Sequence, residues 1–196
     1  MEYVHQPENL FPYDGEKTAC IHFPHLAEWT EWVKKDIRLS GYYQIVILTT
    51  FLRAIELGYA HFLVTPAQGI SADLLDVMLS YQSPDIQPEI RIDCLIPSRK
   101  EYDCLRGRDE RLFEKANRII CLDMTDSPKT RQKAEKAMVT FASLLIVYHD
   151  PHLEQSSDHI YRLAEKQHKK IWNLHSLMSM DGFSKIGVRD LLDYWE

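Results

Sequence analysis

"HFLVTPAQGISADLLDVML", residues His61–Leu79, is the stretch that decides the fold. His61–Val64 is a short apolar run of strand type. A turn holding Pro66, Gln68 and Gly69 follows it. Ile70, Leu74, Leu75, Met78 and Leu79 then recur at helical spacing. A strand, a tight turn and an amphipathic helix make the first half of a parallel crossover unit. In such a unit a phosphate settles against the free N–H groups and positive dipole end of the helix. Backbone approaches phosphate closely only where no side chain intervenes, so these turns are normally rich in glycine. This turn has a single glycine, Gly69, and Pro66 has no N–H to offer. It reads as the remains of a phosphate-binding turn.

The same alternation runs along the chain. Strands are expected at Ala19–Phe23, His61–Val64, Ile90–Ile96, Arg118–Leu122, Leu144–Tyr148 and Lys170–Leu174. Between Tyr43 and Leu57 the apolar residues Ile45, Leu48, Leu52 and Ile55 mark a helix, and Gly58 supplies its stop. Ser98 and Glu101 have the spacing of a capping box. Ser127 followed by Pro128 is a helix start, and that helix runs to about Phe141. Ser156 or Ser157 caps a further helix ending near His168. Several strands are continuously apolar, as strands buried on both faces are. The fold expected is therefore α/β: a three-layer Rossmann-like domain with a mainly parallel sheet of five to six strands and helices on both faces. It is expected over residues 19–175, between a flexible N-terminal arm (1–18) and a C-terminal extension (176–196).

The chain has 196 residues and is 45% hydrophobic, which suits one domain with a sizeable core. Its net charge of −6 argues against a general nucleic-acid binder, which needs a basic face. The compact basic group Arg106-Gly107-Arg108 is flanked by Asp109 and Glu110. No apolar run reaches the ~18 residues needed to span a membrane. The first 18 residues have neither a basic nor an apolar segment of signal type. The four cysteines, Cys20, Cys94, Cys104 and Cys121, form no C-x-x-C pair and read as reduced residues of a cytoplasmic protein. Trp29, Trp32, Tyr42, Tyr43, Tyr194 and Trp195 read as core or subunit contacts.

Several short motifs, in order, carry a family resemblance over roughly Thr18–Leu174. Ile21-His22-Phe23-Pro24 stands where the family's first strand ends in Gly-His-Arg-Pro. Thr65-Pro66-Ala67-Gln68-Gly69-Ile70-Ser71 stands for Gly-x-Ala-x-Gly-x-Asp. Ile96-Pro97 matches Ile-Pro after the third strand. Ala134-Glu135-Lys136-Ala137-Met138-Val139 stands for Arg-Asn-x-x-Met-Val. Asp150 fits an aspartate near the end of the fifth strand, and Gln155-Ser156-Ser157 stands for Gly-Gly-Thr. The chain resembles the YpsA-like branch of the SLOG superfamily, the Rossmann-like group of DprA-type and LOG-type proteins. The resemblance implies a nucleotide or nucleotide-derived ligand. The residues kept are mostly those that shape the fold, including Pro24, Ala67, Gly69, Met138 and Val139. Those lost are mostly donors: an arginine at Phe23 and an Arg-Asn pair at Ala134-Glu135.

In an open parallel sheet, ligands bind beyond the carboxyl ends of the strands. The ligand-binding candidates there are His22, Gln68, Gly69, Ser71, Asp150, Ser156 and Ser157. Two H-x-x-H pairs, His22/His25 and His149/His152, offer a weaker alternative as metal ligands. No cofactor is expected. There is no Walker A loop, nucleophile elbow or complete G-x-G-x-x-G, and the LOG-type P-G-G-x-G-T-x-x-E has no counterpart. The chain thus reads as a non-catalytic module binding a nucleotide-derived small molecule through an eroded phosphate site. The alternatives are a protein-interaction or scaffold module that has lost the ligand, and a hydrolase of nucleotide-type substrates. Leu191, Leu192 and Trp195, in Gly182–Glu196, form an apolar stripe too short to fold alone. It is expected to hold a homodimer, the rival being that it folds back on its own domain.

Overall fold

Strands that are apolar at successive positions must be covered on both faces, and here they are. The computed structural model describes residues 2–3, 15–22, 37–65, 72–82, 89–106, 115–152, 158–178 and 194. Its elements in chain order are β1 (Glu2–Tyr3), β2 (Thr18–His22), α1 (Ile37–Glu56), β3 (His61–Val64), α2 (Ala72–Ser80), β4 (Arg91–Ser98) and α3 (Arg99–Arg106). They continue with β5 (Arg118–Asp123), α4 (Pro128–Phe141), β6 (Leu144–Val147), α5 (Asp158–Lys166), β7 (Lys170–Asn173) and the single-turn α6 (His175–Met178). The sheet order is β1-β5-β4-β3-β2-β6-β7, and all six neighbouring pairs are parallel.

Side chains alternate between two cores, as the period of a strand requires. Ala19 and Ile21 of β2, Phe62 and Val64 of β3, and Leu144 and Ile146 of β6 face α1 and α2. Cys20, Leu63, Leu145 and Val147, one position out of step, face α4 and α5. This is the expected three-layer arrangement. The six longer strands are those expected from sequence. β1 adds a two-residue parallel edge beside Ile120 and Cys121 of β5, so the first residues of the arm lie against the sheet. At the other end the packing continues past Leu174. Leu177 and Met178 of α6 are buried in the α1–α2 core, and Tyr42 donates its hydroxyl to the Leu177 carbonyl at 2.9 Å.

Local chemistry sets the helix ends. α1 stops in a left-handed Gly58 (φ 90°), where the Tyr59 N–H reaches the Ala54 carbonyl at 3.0 Å and the Gly58 N–H reaches Ile55 at 2.9 Å. Ser127 caps α4 by accepting the Thr130 N–H at 3.1 Å, with Pro128 at the first helical position. Ser98 accepts the Glu101 N–H at 3.2 Å and so caps α3. The helix marked by Ile45, Leu48, Leu52 and Ile55 is present, but those residues are not its most buried ones. Ile45 is 39% exposed, whereas Tyr43, Val46, Ile47, Phe51 and Ala54 are buried. Leu48, Leu52 and Ile55 pack only partly against that core. Both stripes of the helix are apolar. The one carrying the larger rings turns inward, and Phe51 stacks at a tilt on Phe62 with centroids 4.6 Å apart.

Cys20, Cys94 and Cys121 are buried and Cys104 is exposed; none of the four is in a disulfide. Burial pushes the Cys20 and Cys94 thiols up to about 12. They stay protonated, which suits packing and not nucleophilic or metal chemistry. Among the described residues, no helix is long and apolar enough to cross a membrane.

Candidate functional site

The chain leaves β2 and adds β3, β4 and β5 on one side, then returns to place β6 on the other side of β2. The switch point of the sheet therefore lies between β2 and β6. Crevices form at such points, because the connections leaving the two strands diverge toward opposite faces. Register puts His22 directly across from Val147. His22 ends β2, and Tyr148–His152 continue from β6 on the same rim. Thr65, which follows β3, lies one step beyond the Ile21–Val64 pair. It is buried, and its hydroxyl meets the Met138 sulfur of α4 at 3.0 Å.

His22 is 9% exposed, and neither ring nitrogen has a hydrogen-bond partner among the described residues. Burial alone lowers its pKa to about 4, so the ring is neutral at pH 7. A neutral imidazole brings one donor and one acceptor. Buried polar atoms are nearly always paired, because leaving one unmet costs on the order of 1–3 kcal/mol.

The end of β6 is held tightly. The Asn173 side chain of β7 accepts the backbone N–H of His149 at 3.0 Å and of His175 at 3.1 Å. Its amide donates back to the His149 carbonyl at 2.9 Å. The His149 ring stacks on Tyr161 of α5, with centroids 4.1 Å apart and planes 25° apart. Its Nδ1 lies 3.2 Å from Asp158 Oδ1 at the start of α5, off the line of a good hydrogen bond. Asp150 is buried and accepts the His152 N–H at 2.9 Å, closing a turn, while its other oxygen lies 3.9 Å from His175 Nδ1. On the α4–α5 side, His159 Nδ1 meets Glu135 Oε2. Burial raises the Glu135 pKa, and the His159 contact partly offsets this.

Of the expected site residues, His22 and Asp150 come to the rim on neighbouring strands, with His149 and His152 beside Asp150. Gln68, Gly69, Ser71, Ser156, Ser157 and His25 lie outside the described residues. Among the described residues no group of three or more His, Cys, Asp or Glu side chains could hold a metal ion. His22 and the His149/His152 pair are thus not joined into a metal centre there. Three contributors were not singled out from sequence as part of the site: Asn173, Tyr161 and His175. Asn173 had a signal, since an amide closing an otherwise apolar strand needs partners at the sheet's end. Tyr161 and His175 acquire their roles only through tertiary packing. The sequence matches no known family model and no curated protein.

Proposed function

We propose that the chain is a diverged, non-catalytic binding module of the YpsA-like SLOG type, taking a nucleotide or nucleotide-derived ligand at the β2–β6 switch point. The observation that carries this reading is His22: a buried ring with two unmet polar atoms, at the position where this architecture binds ligands. The phosphate part of the site is eroded. Phe23 and Ala134 stand where the resemblance would place arginines. Each such arginine would give a charge-assisted bond of roughly 1.5–3 kcal/mol. Glu135, in place of an asparagine, is engaged by His159. The proposed setting is cytoplasmic, and the proposed assembly is a homodimer through residues 182–196.

Calorimetry with nucleoside monophosphates and dinucleotides tests this reading. Loss of two arginines weakens binding on the order of a hundredfold or more, so millimolar dissociation constants are expected. A micromolar constant abolished by Gly69→Val would contradict the erosion. No binding up to about 10 mM would favour the scaffold alternative.

One observation favours the hydrolase alternative. Asp158 Oδ1 lies 3.2 Å from His149 Nδ1, near enough to orient the ring as a general base if the pair aligns when substrate binds. Product formation from nucleotides, lost in His149→Phe, would support it over the binding module.

A further inference from the structure

The face of the sheet beneath α4 brings two buried polar side chains together among apolar ones. His22 lies in register with Val147 of β6. Cys20 and Val147 face α4, and the period of a strand turns His22 the same way as Cys20. Thr65, the residue after β3, points there too, since its hydroxyl donates to Met138 Sδ of α4 at 3.0 Å. A thioether is a weak acceptor, and among the described residues nothing donates to the Thr65 oxygen. The neighbours of this pair are apolar. Val147 and Met138 are buried, and Ala134, one turn earlier on α4, brings only a methyl group.

Desolvation decides what such a place accepts. A phosphate leaves water only for cations or several converging donors. The buried His22 ring is neutral at pH 7 and brings one donor. A ribose has hydroxyls around its rim, and apolar walls would leave most of them unmet. A nucleobase has apolar faces and a polar edge. Its faces suit Val147 and the Met138 thioether, which packs well on aromatic rings. Its edge, with donor and acceptor side by side, suits a neutral imidazole.

We propose that His22 hydrogen-bonds the edge of an uncharged planar heterocycle, the base of the nucleotide-derived ligand, packed against Val147 and Met138. The proposal rests on the ligand-binding reading of the preceding section and names the part of the ligand that His22 recognises. The His22 nitrogens are shielded from solvent in this structure, so neighbouring atoms must shift as the base enters.

The test uses the full chain, labelled for NMR, titrated with the four ribonucleoside 5′-monophosphates and with ribose 5-phosphate, each to about 10 mM. Ribose 5-phosphate keeps the sugar and the phosphate and lacks the base. At least one monophosphate is expected to shift the amides of His22, Thr65 and Val147, and to bind there at least about tenfold tighter than ribose 5-phosphate. A smaller gap at those amides overturns the inference and leaves the binding module standing, because sugar or phosphate is then what His22 meets. Monophosphate shifts confined to other parts of the chain have the same consequence. No shift from any of the five compounds overturns both. His22→Leu separates recognition from folding. It removes two polar atoms that are unmet among the described residues, so it should melt no lower than the parent chain while affinity for that monophosphate falls at least about tenfold. If the variant folds and binds as the parent does, His22 does not hold the base and the inference fails.

Discussion

His22 brings two polar atoms into the core that have no partner among the described residues, and its burial makes the residue titrate in a measurable way. Burial depresses its folded-state pKa to about 4 from an ordinary 6.5. As pH falls, the unfolded chain takes up the proton first. The associated stability is therefore full above about pH 6.5 and is lost as the pH falls toward 4. The shift corresponds to at most roughly 3 kcal/mol. Urea denaturation at about pH 7 and about pH 4.5 checks this, comparing the parent chain with His22→Leu. The variant should lose less stability on acidification; a parallel loss in both would mean that His22 titrates normally. The sequence shows a histidine at the end of an apolar strand, and that much marks it as a candidate. It cannot show that the ring goes unmet, because that depends on which groups β3, β6 and α4 bring alongside.

At the scale of elements, the chain was legible wherever one local rule acted alone. Ser127-Pro128 starts α4 and Gly58 ends α1 because capping is decided within a few residues. Rules in competition were harder to read. Both stripes of α1 are apolar, and ring size rather than spacing selects the buried one. β1 is two residues with no periodicity, so only its pairing with β5 makes it a strand. The end of α5 has the same hydrogen bonds as the end of α1, with Lys169 N–H to Ala164 at 3.0 Å and His168 N–H to Glu165 at 2.9 Å. Yet His168, not glycine, holds the left-handed position at φ 53°. His168→Gly should therefore raise stability by ~0.5–1 kcal/mol, read as a higher urea midpoint with an unchanged slope. Asn173→Ala should act in the opposite direction. It removes the side chain that ties the ends of β6 and β7 together and leaves the His149 amide unmet, at a cost of roughly 1–3 kcal/mol. Faster hydrogen exchange confined to residues 147–150 and 173–175 would identify the lost staple.

At the scale of the molecule, the alternation of apolar strands and helices was enough to indicate a parallel three-layer sheet. The order β5-β4-β3-β2-β6-β7 then places the switch point, and with it the rim bearing His22 and His149. Two of the seven candidate ligand contacts, His22 and Asp150, could be placed in this way. Gln68, Gly69, Ser71, Ser156 and Ser157 fall outside the described residues. So does the apolar stripe of Leu191, Leu192 and Trp195, although Tyr194 beside it is 42% exposed. Light scattering of the full chain should give twice the monomer mass, and a chain ending at Gly182 should give the monomer; monomers in both cases would contradict the dimer. The central claim is that the β2–β6 switch point is a ligand site whose phosphate-binding part has been lost. Amide chemical-shift mapping with adenosine and with AMP tests it most directly. The account predicts shifts clustered at His22, His149–His152 and Asn173–His175, no larger at a given concentration for AMP than for adenosine. Shifts at the opposite ends of the strands, near Thr18, Leu144 and Lys170, or micromolar binding of AMP, would contradict it.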